Sequence, residues 1–283
     1  MLKPALRERL RPMGMVRDDA ALLALFEELA LAAGSAIMGH YAAGFAVETK
    51  PDASPVTVAD RAAERVILDG LAAAGLGTPC VSEEEASGGV IPACGDGHFL
   101  LVDPLDGTRE FIERRPDFTV NIGLIRAGEP ALGVVYAPAR DLLYAARPGF
   151  ACEAAVDRGR VVARRDIRAR AMRTPPAILA SRSHCTDETR AFIARHPGAE
   201  TVAIGSSLKF CMIARGDADL YPRFGRTMQW DTAAGDAVLR AAGGMARTLD
   251  GAPLTYGPKE GEGLEAFVSP SFVAEGASAS DGL

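Results

Sequence analysis

The stretch HFLLVDPLDGTREF, residues 98–111, ends an apolar run on one carboxylate, Asp103, and sets a second three residues later, at Asp106. FLLV reads as a buried strand. Two acids at a strand mouth repel each other unless a cation or a cluster of donors lies between them. Pro104 stiffens the turn, and Gly107 lets backbone approach a ligand closely. Thr108 opens a helix-compatible REFIERR, whose first amides suit an anion. The plain alternative is a strand that ends at Asp103 and a helix capped by Asp106.

Toward the N-terminus, residues 18–42 have helical spacing at Leu22, Leu25, Phe26, Leu29 and Ile37, capped by Asp18 or Asp19. KPDASPVT reads as a polar loop. VADRAAERVILDGLAAAG predicts a second helix with Val58, Ala62, Val66 and Leu71 inward and Gly75 past its end. TPCVSEEEASGG reads as a short strand running into an acidic turn that holds Glu83, Glu84 and Glu85, and residues 88–97 read as a loop. Toward the C-terminus, DFTVNIGLIRAG, PALGVVYAPAR and DLLYAARPG predict an antiparallel meander. Near residue 172 the pattern changes to strands alternating with helices: PAILASRS, TDETRAFIARHPG, ETVAIGSSLKF, ADLYPRFG and WDTAAGDAVLRAAGG. The expected division is therefore 1–172, α+β with an antiparallel-rich sheet, and 173–283, α/β, with the site between them. Residues 1–17 read as a flexible extension and the small polar tail as frayed.

Composition narrows the function. With 48% apolar and 24% charged residues the chain is an ordinary globular protein, and its net charge of −6 excludes non-specific binding to a nucleic-acid polymer. Five cysteines without CxxC spacing, and four histidines without an i, i+4 pair, argue against a disulfide framework or a zinc site. No apolar run reaches the length of a membrane span. The reading is cytoplasmic, with peripheral attachment to a bacterial inner membrane left open.

The acids without His or Cys partners form a hard oxygen donor set that suits Mg²⁺. Each has a bland reading: Glu83 in a solvated acidic turn, Asp60 in a first helical turn, Asp231 as the N-cap of a small-residue helix. Together they point to a multi-metal centre for displacement at phosphorus.

DPLDGT together with WDTAAG resembles the signature pair of the inositol monophosphatase-like superfamily. SPVTVAD, VSEE, DFTVNIGLI, GVVYAPA, SRSH, IGSSLKFC and LYPRFG resemble its bacterial 3′(2′),5′-bisphosphate nucleotidase branch. The resemblance implies a layered αβαβα sandwich and Mg²⁺-dependent, Li⁺-sensitive hydrolysis of adenosine 3′,5′-bisphosphate, with two or three Mg²⁺ per site and a place in sulfate assimilation. By the same resemblance Glu83, Asp103, Asp106, Asp231 and the Leu105 carbonyl are metal ligands. Asp60 and Thr108 orient the attacking water, and Glu83 is counted with them. Gly107, Thr108 and Asp231 also touch substrate, together with Arg182, His184, Ser206, Lys209 and Arg223. Lys209 and Arg223 stand in loop-like contexts, where a cation is ordinarily solvated; a bisphosphate needs charge for the phosphate that is not cleaved. An inositol phosphatase or sugar-phosphate phosphatase on the same scaffold is the alternative, and a non-catalytic metal or nucleotide sensor a third.

Overall fold

The computed structural model describes residues 18–45, 47–49, 55–181 and 185–277. The N-terminal extension, the tail beyond 277, the KPDAS segment, Arg182 and His184 lie outside the described residues. In chain order the elements are α1 (Asp19–Ala43), β1 (Val47–Thr49), β2 (Pro55–Thr57), α2 (Val58–Ala73), β3 (Cys80–Ser82), α3 (Glu83–Ser87), β4 (Phe99–Asp106), α4 (Thr108–Ile112), β5 (Thr119–Arg126), β6 (Glu129–Ala137), β7 (Leu142–Arg147), β8 (Phe150–Asp157) and β9 (Arg160–Asp166). There follow β10 (Ala177–Ser181), α5 (Asp187–Ala194), β11 (Glu200–Ile204), α6 (Leu208–Ala214), β12 (Leu220–Arg223), α7 (Gln229–Ala241), β13 (Met245–Thr248) and β14 (Phe272–Glu275).

The strands β3 to β9 form one seven-stranded sheet in sequence order, antiparallel except for the β3–β4 pair. The expected meander is present and runs two strands further, through β8 and β9. Alternation along β4 divides the core. Leu100 and Val102 face α1 and α2, while Phe99 and Leu101 face the cluster that holds Trp230, Ala233 and Ala234 of α7. The second sheet has the order β11-β10-β12-β14-β13. Its first three strands pair in parallel, but β14 is reversed and pairs antiparallel with both β12 and β13, so this part is mixed rather than purely α/β. The layers are α1 with α2, the long sheet, α6 with α7, and the second sheet.

Several expectations are corrected. At the end of the segment expected as a loop, KPDASPVT, Pro55–Thr57 is a short strand that pairs antiparallel with Val47–Thr49 just before that segment. The acidic turn is a short helix, α3, because Ser82 leaves the strand in an extended conformation and the three acids follow in the first turn, where the helix dipole favours them. The inward face of α2 is Ala59, Asp60, Ala63, Glu64, Ile67, Gly70 and Leu71, one position round from the face expected; Val58 is exposed and Ala62 and Val66 half-buried. The apolar signal misled because two acids occupy the buried side. Finally, α1 is long and apolar enough to cross a membrane by length and composition, contrary to expectation. It packs instead as a core helix: Leu22, Phe26, Leu29, Ala33 and Ile37 lie against the long sheet.

Candidate active site

The strand does not end where the apolar run does, at Asp103. β4 continues to Asp106, but Asp103 pairs with Asn121 and Asp106 with Thr119, so three steps on β4 match two on β5. Without that bulge, residues three apart would face opposite sides of the sheet. With one extra residue, Leu105 turns into the α1–α2 core and both carboxylates face α7. Gly107 then takes a left-handed conformation, φ 91°, and a Cβ there would meet the Asp117 carbonyl oxygen at 3.0 Å.

Glu83, Asp103 and Asp231 each offer an oxygen, and these atoms lie within 4.8 Å of one another. Asp103 is 1% exposed, and its Oδ1 accepts from the Leu105 amide at 3.0 Å. Burial, then Glu83, Asp106 and Asp231, raise the Asp103 carboxyl well above the usual range. Burial, then Asp106 and Glu83, push the Asp231 carboxyl up to about 7. Of the three neighbouring acids Glu83, Glu84 and Glu85, it is the first that joins the cluster.

Asp231 is not the N-cap of α7. Met228 holds that place, and Asp231, three residues on, folds its Oδ2 back to the Met228 amide at 2.9 Å and the Thr227 hydroxyl at 2.7 Å. Asp106 sits beside the cluster. Its Oδ2 accepts from the Ser207 amide at 2.7 Å, the Ser207 hydroxyl at 2.8 Å and the Asn121 amide at 3.4 Å. Burial raises its carboxyl, opposed by Lys209 and Ser207.

Asp60 has two sets of partners. Its Oδ2 accepts from the Thr57 amide and hydroxyl, closing the N-terminus of α2, and its Oδ1 accepts from the Thr108 hydroxyl at 3.1 Å. That hydroxyl also lies 3.2 Å from the Leu105 carbonyl. Burial raises the Asp60 carboxyl.

Cations line the same cavity, of about 390 Å³. Lys209 is not in a loop but in the first turn of α6, 3% exposed, with Nζ donating to the Ser206 carbonyl at 2.6 Å and near the Ile204 carbonyl at 3.4 Å. Burial lowers its pKa to about 8, against the pull of Asp106. Arg223, at the end of β12, donates to the Arg226 carbonyl at 2.7 Å, and its buried Nε has no partner among the described residues. Ser206 takes a left-handed φ of 49°, and Trp230 forms a buried wall.

Sequence reasoning missed Ser207, Asn121 and Glu64. Ser207 ties Asp106 to the α7 backbone, since its hydroxyl also meets the Asp231 carbonyl and the Asn121 amide. A polar Asn inside the apolar run TVNIGLI was a visible signal; the neutral second serine of a Ser-Ser pair was not. Arg109 and Arg226 also line the cavity.

The profile of the inositol monophosphatase family matches residues 18–270. The chain is 44% identical to the 3′(2′),5′-bisphosphate nucleotidase CysQ of Escherichia coli (strain K12), over 87% of this chain and 96% of that protein. The crystal structure of CysQ from Bacteroides thetaiotaomicron superposes with a TM-score of 0.75 at 34% identity, covering 92% of this chain and 98% of that one. An inositol monophosphatase from Anabaena (Nostoc) shares the fold at 24% identity, with a TM-score of 0.70 over 93% of each chain.

Proposed function

The chain belongs to the inositol monophosphatase family, and from that premise we propose that it is a metal-dependent phosphatase that hydrolyses adenosine 3′,5′-bisphosphate to AMP and phosphate. One observation carries the reading: a single cavity is lined both by the clustered carboxylates and by two buried cations, Lys209 and Arg223. A substrate with two phosphates can engage both groups at once, whereas a monophosphate has no second phosphate for the cations.

The donor set fits a hard divalent cation. All candidate ligands are oxygens, those of Glu83, Asp103 and Asp231 converge, and burial with mutual repulsion leaves Asp103 and Asp231 reluctant to ionise without added positive charge. Glu83, Asp103 and Asp231 would hold Mg²⁺, with Asp106 and the Leu105 carbonyl extending the set to a second ion. Bound there, Mg²⁺ supplies charge opposite the phosphoryl oxygens and makes a water easier to deprotonate.

The protein's own groups orient the reaction. Thr108, while donating to Asp60, turns its lone pairs outward and accepts a hydrogen bond from the attacking water. Thr57 fixes Asp60 from behind, so that donation has one direction. The partnerless Nε of Arg223 and the remaining Lys209 donor address the phosphate that stays on the ribose. Water oxygen bonds to phosphorus, the P–O bond to the ribose breaks, and the ribose oxygen leaves with a proton.

The test compares phosphate release from adenosine 3′,5′-bisphosphate and inositol 1-phosphate at matched Mg²⁺. A charge-assisted hydrogen bond contributes roughly 1.5–3 kcal/mol, so kcat/KM should favour the bisphosphate by about 10- to 150-fold. A reversed preference would overturn the substrate assignment. Full activity in excess chelator would overturn the metal reading.

A further inference from the structure

Glu64 lies one turn beyond Asp60 on the same buried face of α2. Its Oε1 accepts three hydrogen bonds: from the Ser82 hydroxyl, from the Glu84 amide at 3.1 Å and from the Glu85 amide at 3.2 Å. Glu84 and Glu85 are the second and third residues of α3. Their amides are the donors that a helix's own N-cap side chain ordinarily satisfies. Ser82 occupies the N-cap of α3 but makes no such bond, because its hydroxyl is turned onto Glu64. The cap of α3 therefore comes from a different helix.

Glu83 is the first residue of α3 and one of the three clustered carboxylates. A side chain that anchors the first turn of α3 fixes where the Glu83 backbone starts. We propose that Glu64 is a positioning residue that sets the metal affinity of the cluster by holding Glu83 in register with Asp103 and Asp231. The proposal rests on the reading of Glu83 as a metal ligand. α2 then carries two buried acids one turn apart with separate tasks: Asp60 aims Thr108, and Glu64 aims Glu83. A carboxylate is tolerated beside so many acids because it faces the positive end of a helix and three donors.

Charge and reach are separable. Glu64→Asp keeps the charge but is one methylene short of the amides. Glu64→Gln loses the charge but keeps an acceptor oxygen at the same distance. The readout is Mg²⁺ binding to the metal-free protein by titration calorimetry. Glu64→Ala and Glu64→Asp should raise the dissociation constant by about 10- to 100-fold, as expected when support for a ligand is removed. Glu64→Gln should stay within about threefold of the parent, since it still accepts from both amides. In phosphate-release assays Glu64→Ala should recover most of its kcat at high Mg²⁺, which a general loss of folding would not allow.

Parent-like Mg²⁺ affinity in the folded Asp variant overturns the proposal. So does a Gln variant that binds Mg²⁺ as weakly as the Asp variant, or more weakly, since that assigns the effect to charge. If Glu64→Ala does not fold, the Asp and Gln pair decides. Glu83→Gln separates the two levels. An unchanged affinity there removes the metal reading of Glu83 and the proposal with it, whereas a weakened Glu83→Gln beside a parent-like Glu64→Asp removes the proposal alone.

Discussion

At Asp231 one carboxylate both closes the first turn of α7, through Oδ2, and reaches the oxygens of Glu83 and Asp103. Asn at this position keeps an acceptor for the Met228 amide while removing the charge. Asp231→Asn should therefore fold, should melt no lower than the parent in chelator because a buried repulsion is relieved, and should lose about 100-fold or more of its turnover. Phosphate release and thermal unfolding measured side by side decide it; near-parental turnover would leave Asp231 as a helix cap only. Arg223→Ala makes a different demand. Removing a buried guanidinium with a partnerless Nε should lower kcat/KM for adenosine 3′,5′-bisphosphate by about 10- to 150-fold and scarcely alter hydrolysis of a small monophosphate. Equal losses on both substrates would make it a support for the fold. The acids were legible because DPLDGT and WDTAAG are contiguous and charged. Glu64 and Ser207 were not, because their meaning comes from partners far along the chain. The loop-like context of Lys209 was a misreading, because sequence alone does not reveal that its ammonium is held inside by carbonyls that precede its own helix.

Among the elements, α7 has the closest docking. Gly123 on β5 and Gly133 on β6 are paired across the sheet and make a shallow groove beneath it. A Cβ at Gly133 would stand 2.3 Å from the Ala234 carbonyl oxygen, and one at Gly123 3.1 Å from the Ala233 Cβ. The obstacle at Gly133 is backbone, which cannot rotate away. Gly133→Ala should thus displace α7, cost about 1–3 kcal/mol of stability and weaken Mg²⁺ binding by moving Asp231. Denaturant unfolding and calorimetry on the one variant check both effects; lost stability with unchanged Mg²⁺ affinity would show that Asp231 tolerates movement of its helix. The strands and most helices were legible from alternation and helical spacing. The bulge in β4 was not, since it appears only when the register against β5 is known. The face of α2 was misread for a related reason: function places acids where packing alone would place apolar residues.

Over the whole molecule the two sheets share a core. One cluster joins Leu101 and Val135 of the long sheet to Leu179 and Phe272 of the short one through α6 and α7. The buried acids lie against this shared core, and their titration bears on stability. A carboxyl raised to about 7 in the folded chain keeps its proton at pH values where the unfolded chain, near 3.8, has lost it. The folded state then binds more protons, so metal-free stability is fully present below about pH 4 and is lost as pH rises toward 7. In excess chelator the melting temperature should fall between about pH 5 and 7.5, Mg²⁺ should reverse the fall, and Asp231→Asn should flatten it. A melting temperature that rises over that range without metal would contradict the repulsive cluster.

The arrival of Asp231 from α7 also bears on synthesis. The ribosome delivers Glu83, Asp103 and Asp106 early, and the strands that present them can pair as they emerge. The third oxygen of the cluster does not exist until Gln229–Ala241 has been made and has settled on its glycine groove. A prematurely terminated chain displays acids without the third oxygen, so under the proposed metal reading cation binding would distinguish finished chains from abandoned ones.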